Sequence, residues 1–173
     1  MDPDLDLDLA TELRSVVDAD AALLQRWREA ATSCFDDFNA KGPESERDQS
    51  LPLPGDMTTM LVLDRDRQPI GTVQWHPVRY GPTRGSVALN IGISLQADAR
   101  GQGHGTRAQA LLSTYLFDRY PVNRVEAGTD IENIAEQRAL LGAGFHRDGV
   151  LRGAQWRAGA WHDLVMYSRL RND

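Results

Sequence analysis

Cysteine is nearly absent from this chain, since Cys34 is the only one among 173 residues. An internal disulfide is thereby excluded, and a reducing compartment suits the sequence. No histidine or carboxylate pattern surrounds Cys34, so it reads as a packed small residue rather than a nucleophile. Lysine is as scarce, with Lys41 standing alone against 18 arginines. A Walker phosphate loop needs Gly-Lys-Ser/Thr and is therefore ruled out. No run approaches the ~20 apolar residues of a membrane span. The opening Met1-Asp-Pro-Asp-Leu-Asp6 is acidic and lacks the apolar centre of an export signal, so a cytoplasmic location is expected. A formal net charge of −6 supplies no basic face for nucleic acid. Neither nucleic acid nor a membrane is expected as a partner, and no metal is expected. The negative balance would steer a cationic molecule toward the protein.

What is present is the composition of an ordinary folded domain, 41% hydrophobic and 25% charged. The length fits one domain, taken as residues 11–173 behind an acidic tail at 1–10. A strand is expected at about 11–17, then an N-cap in Asp18-Ala-Asp20 and a helix over 21–30. A second short helix is expected at 34–39. Residues 41–56 are polar, hold three prolines and read as a loop. Strands follow at 58–64, 69–78 and 86–96. After a long helix stopped by Pro121, a strand at 123–129 leads to a helix at about 132–141, ended by Gly142 and Gly144. Residues 145–156 and 161–170 close the chain as a hairpin. This order predicts an α+β, three-layer architecture: a mixed, mostly antiparallel seven-stranded sheet flanked by about four helices. A parallel pair is expected where the long helix joins two strands.

One stretch organises the rest. Asn90 to Leu95 is an apolar strand, and Arg100-Gly-Gln-Gly-His-Gly105 follows with three glycines in five residues. Ala108, Leu111, Leu112, Tyr115 and Leu116 then mark an amphipathic helix. Either the glycines only make a tight turn, or they form an anion cradle. In the second case backbone N–H groups at the helix N-terminus are left bare for a phosphate by Gly101, Gly103 and Gly105. The dinucleotide pattern Gly-x-Gly-x-x-Gly does not fit this spacing.

The pattern Arg/Gln-x-x-Gly-x-Gly/Ala does fit, and it resembles the acetyl-CoA pyrophosphate loop of the GNAT superfamily of N-acetyltransferases. A second patch, Asn133-Ile-Ala-Glu-Gln-Arg-Ala-Leu-Leu-Gly-Ala-Gly-Phe145, is similar to the Asn-x-x-Ser…Gly-Phe signature of that superfamily. The closing segments Asp148–Arg152 and Trp161–Tyr167 resemble the ribosomal-protein (RimJ/RimL type) branch. The resemblance implies the GNAT fold, acetyl-CoA as donor and a primary amine as acceptor, whether a protein N-terminus, a small amine or an antibiotic amine. A homodimer is left open. It implies that Arg100, Gly101, Gln102, Gly103, His104, Gly105 and Thr106 hold the pyrophosphate, with His104 lying beside phosphate. Ile93, Ser94 and Leu95 would pair with the pantetheine arm on a strand that splays from its neighbour, and Asn133 would bond the same arm. Arg107 and Arg138 fit either the adenosine phosphates or a solvated helix face.

The amine must be neutral to attack, so a base is wanted. The family commonly has glutamate where Asn90 stands, and a serine or tyrosine where Glu136 and Leu140 stand. The catalytic candidates are therefore Asn90, His76 and Glu136, with Glu136 useful only if its proton affinity is raised. For the acceptor, the resemblance points to the first helices and the closing hairpin: Trp27, Phe35, Asp36, Trp156 and Trp161, with Glu29, Asp37 and His162 beside them. A catalytically idle acyl-CoA-binding module and a nucleotide-binding protein remain the alternatives.

Overall fold

The computed structural model describes residues 10–30, 57–83 and 85–173. Among these, β1 (Glu12–Ser15) leads to α1 (Ala21–Glu29), and three strands follow after residue 56: β2 (Thr58–Leu63), β3 (Pro69–Arg79) and β4 (Val87–Leu95). The long helix α2 (His104–Arg119), β5 (Arg124–Asp130), α3 (Ile134–Gly142), β6 (His146–Arg157) and β7 (Ala160–Leu170) complete the order. The helix expected at 34–39 lies outside the described residues.

All seven strands form one sheet in the order β1-β2-β3-β4-β5-β7-β6. Among the described residues only β4 and β5 pair in parallel, as expected for strands joined by a crossover helix. Period-two alternation sorts the side chains. Val73, Trp75, Leu89, Ile91, Val125 and Ala127 are buried in one core with Ala108, Leu112 and Leu116 of α2. The alternate residues, among them Gln74, His76, Asn90 and Glu126, carry polar groups on the opposite face.

One local expectation is corrected and another qualified. The apolar stripe of α2 is rotated: His104, Ala108, Leu112 and Leu116 are buried, whereas Leu111 and Tyr115 are 37% and 39% exposed. Tyr115 instead meets Trp75 edge-on at 6.0 Å. Asp20 stands at the N-cap position of α1, but its side chain makes no capping hydrogen bond to the helix. Its carboxylate accepts from the Arg14 guanidinium at 2.8 and 3.0 Å and from the Val17 N–H at 2.9 Å, so it ties the end of β1 to the turn before α1.

Close approaches set the geometry near the glycine loop. A Cβ on Gly71 of β3 would stand 2.3 Å from the Ser94 carbonyl oxygen, so glycine alone lets β3 lie against the end of β4. A Cβ on Gly142 would come 2.9 Å from the Thr106 methyl, which shows how tightly α3 lies on the first turn of α2. The C-terminus of α3 closes through the Phe145 N–H on the Leu140 carbonyl and the Gly144 N–H on that of Leu141.

Candidate active site

The parallel pair is short. Leu89 faces Val125 and Asn90 faces Glu126, and there the pairing ends. β4 continues to Leu95 and β5 to Asp130, each still paired on its outer side with β3 and β7. The inner edge of β4 from Ile91 onward is thus released from β5. The two strands diverge around a cleft of about 820 Å³. Its walls come from both diverging strands, the glycine loop and the first two turns of α3, with Gln74, His76 and Gln155 reaching in.

The loop sits at the open end of this fork. Gly101 (φ +72°) and Gly103 (φ +85°) adopt the left-handed conformation that other residues enter at a cost. Gly103 is the N-cap of α2 and offers no side-chain cap, so the first-turn N–H groups are left to an external acceptor. Nothing would lie within 4 Å of a Cβ on Gly101. Arg100 Nε donates to the Leu95 carbonyl at 2.9 Å, and Gln102 Nε2 to the Asp98 carbonyl at 2.6 Å. Among the residues expected in the cofactor site, Ile93, Ser94, Leu95, Arg100, Gly101, Gly103, Gly105, Thr106, Asn133 and Arg138 all line the cleft. Gln102 and His104 do not. The imidazole of His104 is buried and its Nδ1 lies 2.9 Å from Thr11 Oγ1, so the expectation that it stands beside phosphate is corrected. Burial pushes its proton affinity down, partly offset by Asp64.

His76, Asn90 and Glu126 stand abreast on three neighbouring strands at the closed end of the fork. Glu126, which the sequence reading did not select, is only 1% exposed. Its carboxylate accepts from Tyr80 Oη at 2.9 and 2.8 Å, from Arg124 Nε at 2.8 Å and from Asn90 Nδ2 at 3.4 Å. Since a carboxylate only accepts, Asn90 must turn its NH₂ toward Glu126 and its oxygen away. Arg124 also reaches Asp148 at 2.5 Å, which in turn accepts from Ser168 at 2.9 Å. The Tyr80 hydroxyl holds its proton above the usual tyrosine range, through burial and the adjacent Glu126. An acidic residue flanked by Val125 and Ala127 in a buried strand, with Arg124 two positions earlier on the same face, was the signal available in the sequence.

Glu136 lies in the first turn of α3, where the Asn133 side chain caps the helix by accepting the Glu136 N–H at 3.2 Å. Glu136 is among the residues that line the cleft. Burial pushes its carboxyl up to about 7, against the opposing pull of Gln109.

At the far end of β5, Asp130 is buried between Arg157 and His162, whose Nδ1 is 3.1 Å away. The other carboxylate oxygen, Oδ1, accepts the Glu132 N–H at 2.7 Å. Asp130 and Gln155 line the cleft, whereas Trp156 and Trp161 pack edge-on against each other at 5.4 Å across the β6–β7 hairpin. Neither tryptophan is among the cleft-lining residues, and nor is Trp27 of α1. Phe35 and Asp36 lie outside the described residues.

A parallel pair that parts after two positions, opening onto glycines at a helix N-terminus, suits an extended ligand that carries phosphate. Residues 11–146 match the Acetyltransferase (GNAT) domain family, and the chain belongs to that family. The probable N-acetyltransferase YjcK of Bacillus subtilis is 32% identical over 108 residues, which are 62% of this chain and 58% of that protein. RimJ of Mycobacterium smegmatis, solved in complex with CoA-disulfide, matches with a TM-score of 0.71 at 20% identity, covering 94% of this chain and 82% of that one. Aminoglycoside acetyltransferase AAC(6')-Ib, solved in complex with coenzyme A, matches with a TM-score of 0.69 at 22% identity over 94% and 96% of the two chains. No helix among the described residues is long and apolar enough to cross a membrane.

Proposed function

We propose that this protein transfers an acetyl group from acetyl-CoA to a primary amine by direct attack within a ternary complex. The observation that carries the reading is the fork itself. A β4 edge freed from β5 runs straight into a glycine loop and a helix N-terminus. The peptide-like amides of the pantetheine arm complement the freed edge at Ile93–Leu95, as an added strand would. The backbone of Gly101–Thr106 takes the pyrophosphate, with the helix dipole and Arg138 at the cleft favouring negative charge. Asn133 uses its oxygen in the cap of α3, so its NH₂ is the group left for the donor.

The donor arm leaves the thioester near the closed end of the fork, where His76 and Asn90 line the cleft. A β4 N–H preorganised beside the thioester carbonyl steadies the oxyanion of attack. The acceptor nitrogen must lose a proton and the departing thiolate must gain one. Glu136, held near neutrality, exchanges protons readily at physiological pH and serves as the acid or base of this transfer. Asn90, its oxygen turned away from Glu126, accepts a hydrogen bond from the acceptor amine and orients it. Protein N-termini, small polyamines and aminoglycosides are the acceptor classes to test.

The test is calorimetric titration of acetyl-CoA into the protein and into Gly103→Trp, followed by thiol release with an amine panel: an alanine-first peptide, spermidine and kanamycin. Micromolar binding lost in the variant, with thiol release by one amine, supports the reading. Binding without release from any amine would leave a non-catalytic acyl-CoA-binding protein. No binding would remove the function altogether.

A further inference from the structure

The glycine loop is held where it begins, by Arg100 on the Leu95 carbonyl and Gln102 on the Asp98 carbonyl, and Thr106 just beyond it packs against Gly142 of α3. Its hinge residues Gly101 and Gly103 are the two most permissive residues available, and the N-cap of α2 has no side chain. Gly101 and Gly103 bring no side-chain contacts of their own, so the aim of the backbone donors also depends on what is packed behind the first turn of the helix. His104, the first residue of α2, supplies one such anchor. It is 5% exposed and points away from the cleft to Thr11, itself 4% exposed and 93 positions earlier in the chain. The contact is a buried hydrogen bond of 2.9 Å between Thr11 Oγ1 and His104 Nδ1. A neutral imidazole suits both ends of this arrangement. Its unprotonated nitrogen can accept from the threonine hydroxyl, and no cation is placed at the positive end of the helix.

We propose that Thr11 and His104 are a positioning pair that fixes the geometry of the glycine loop, so that the residue leading into β1 belongs functionally to the donor-binding site. Neither side chain touches the donor. Thr11 sits against the helix start and holds the backbone donors of the loop in a binding arrangement. The proposal rests on the reading of the loop as the CoA pyrophosphate cradle.

The test uses the full chain with Thr11→Val, which keeps the volume and removes the hydroxyl, and Thr11→Ser, which restores it. Calorimetry gives the Kd for CoA, and the backbone amide signals of Gly101, Gly103 and Gly105 are followed by NMR in the free proteins. Loss of one buried hydrogen bond predicts CoA binding weaker by about three- to tenfold in Thr11→Val. Shifted glycine amides should accompany the loss, and Thr11→Ser should stay within about twofold of the parent. If valine is not accommodated, Thr11→Ala carries the same comparison. A lowered melting temperature with unchanged CoA affinity and unmoved glycine amides would overturn the proposal and leave a purely structural contact. Failure of the parent protein to bind CoA would instead overturn the cradle reading on which it rests.

Discussion

Replacing Glu136 by glutamine isolates the consequence of burying a carboxyl beside the cleft. Glutamine keeps the shape of the side chain and cannot titrate. The ordinary value is 4.5 and burial moves it to about 7. At ~1.4 kcal/mol per pH unit, the gap corresponds to roughly 3 kcal/mol of folding stability. The sign follows from which form the fold prefers. Here the neutral acid is favoured, so the contribution is complete below pH 4.5 and is lost as pH rises through about 7. The parent protein should therefore fall in stability relative to Glu136→Gln between these values, while all other titrating groups cancel in the comparison. Urea unfolding followed by tryptophan fluorescence at pH 5, 6, 7 and 8.5 measures the difference. The variant should gain by roughly 2–3 kcal/mol across that range. A difference that stays constant with pH would refute the reasoning, because it would mean that Glu136 is already ionised at pH 5. If the same group handles the transferred proton, an inflection near pH 7 in the rate profile should vanish with it.

Other sites give sharper structural tests. Gly71→Ala places a methyl group 2.3 Å from the Ser94 carbonyl, and since both are backbone-anchored the variant should lose about 2 kcal/mol or more by chemical denaturation. Glu126→Ala takes from Arg124 one of its two carboxylate partners and from the Tyr80 hydroxyl its acceptor, leaving Arg124 on Asp148, and a loss of about 2 kcal/mol is expected. Tyr80→Phe removes one donor from the same carboxylate and should cost about 1 kcal/mol, with little change if the contact is incidental. Asp130→Asn uncouples a buried pair with Arg157 and should lower stability by about 3 kcal/mol, read as a lower melting temperature.

The sequence announced what depends on neighbours along the chain. Pro121 ends α2, Gly144 ends α3, and alternation marks β2 to β5 near the expected limits. The glycine loop was legible because strand, glycines and helix are consecutive. What escaped depends on partners far apart. Glu126 gains its meaning from Tyr80, 46 positions away, and His104 from Thr11, 93 positions away. The helix periodicity of α2 was read correctly, yet which flank faced the sheet was decided by β1 and α3. Asp20 has the chemistry of a cap, but Arg14 offered two charged donors against the weaker call of a helix N–H. Glu136 was chosen from its place in a signature, and only the folded environment could supply the burial that alters its proton affinity.

The parting of β4 from β5 also divides the sheet mechanically. One plate holds β1 to β4 and the other holds β5, β7 and β6, and two paired positions, Leu89–Val125 and Asn90–Glu126, join their edges. Such a seam is the narrowest join in the sheet, and α2 packs across it, against β3 and β4 on one side and β5 on the other. A molecule that hydrogen-bonds along the free edge acts as a missing rung, stiffening the joint as it fills it. Occupancy should thus be felt as rigidity across the whole sheet, with a ligand at a hundred times its Kd adding about 2.7 kcal/mol to the folded state.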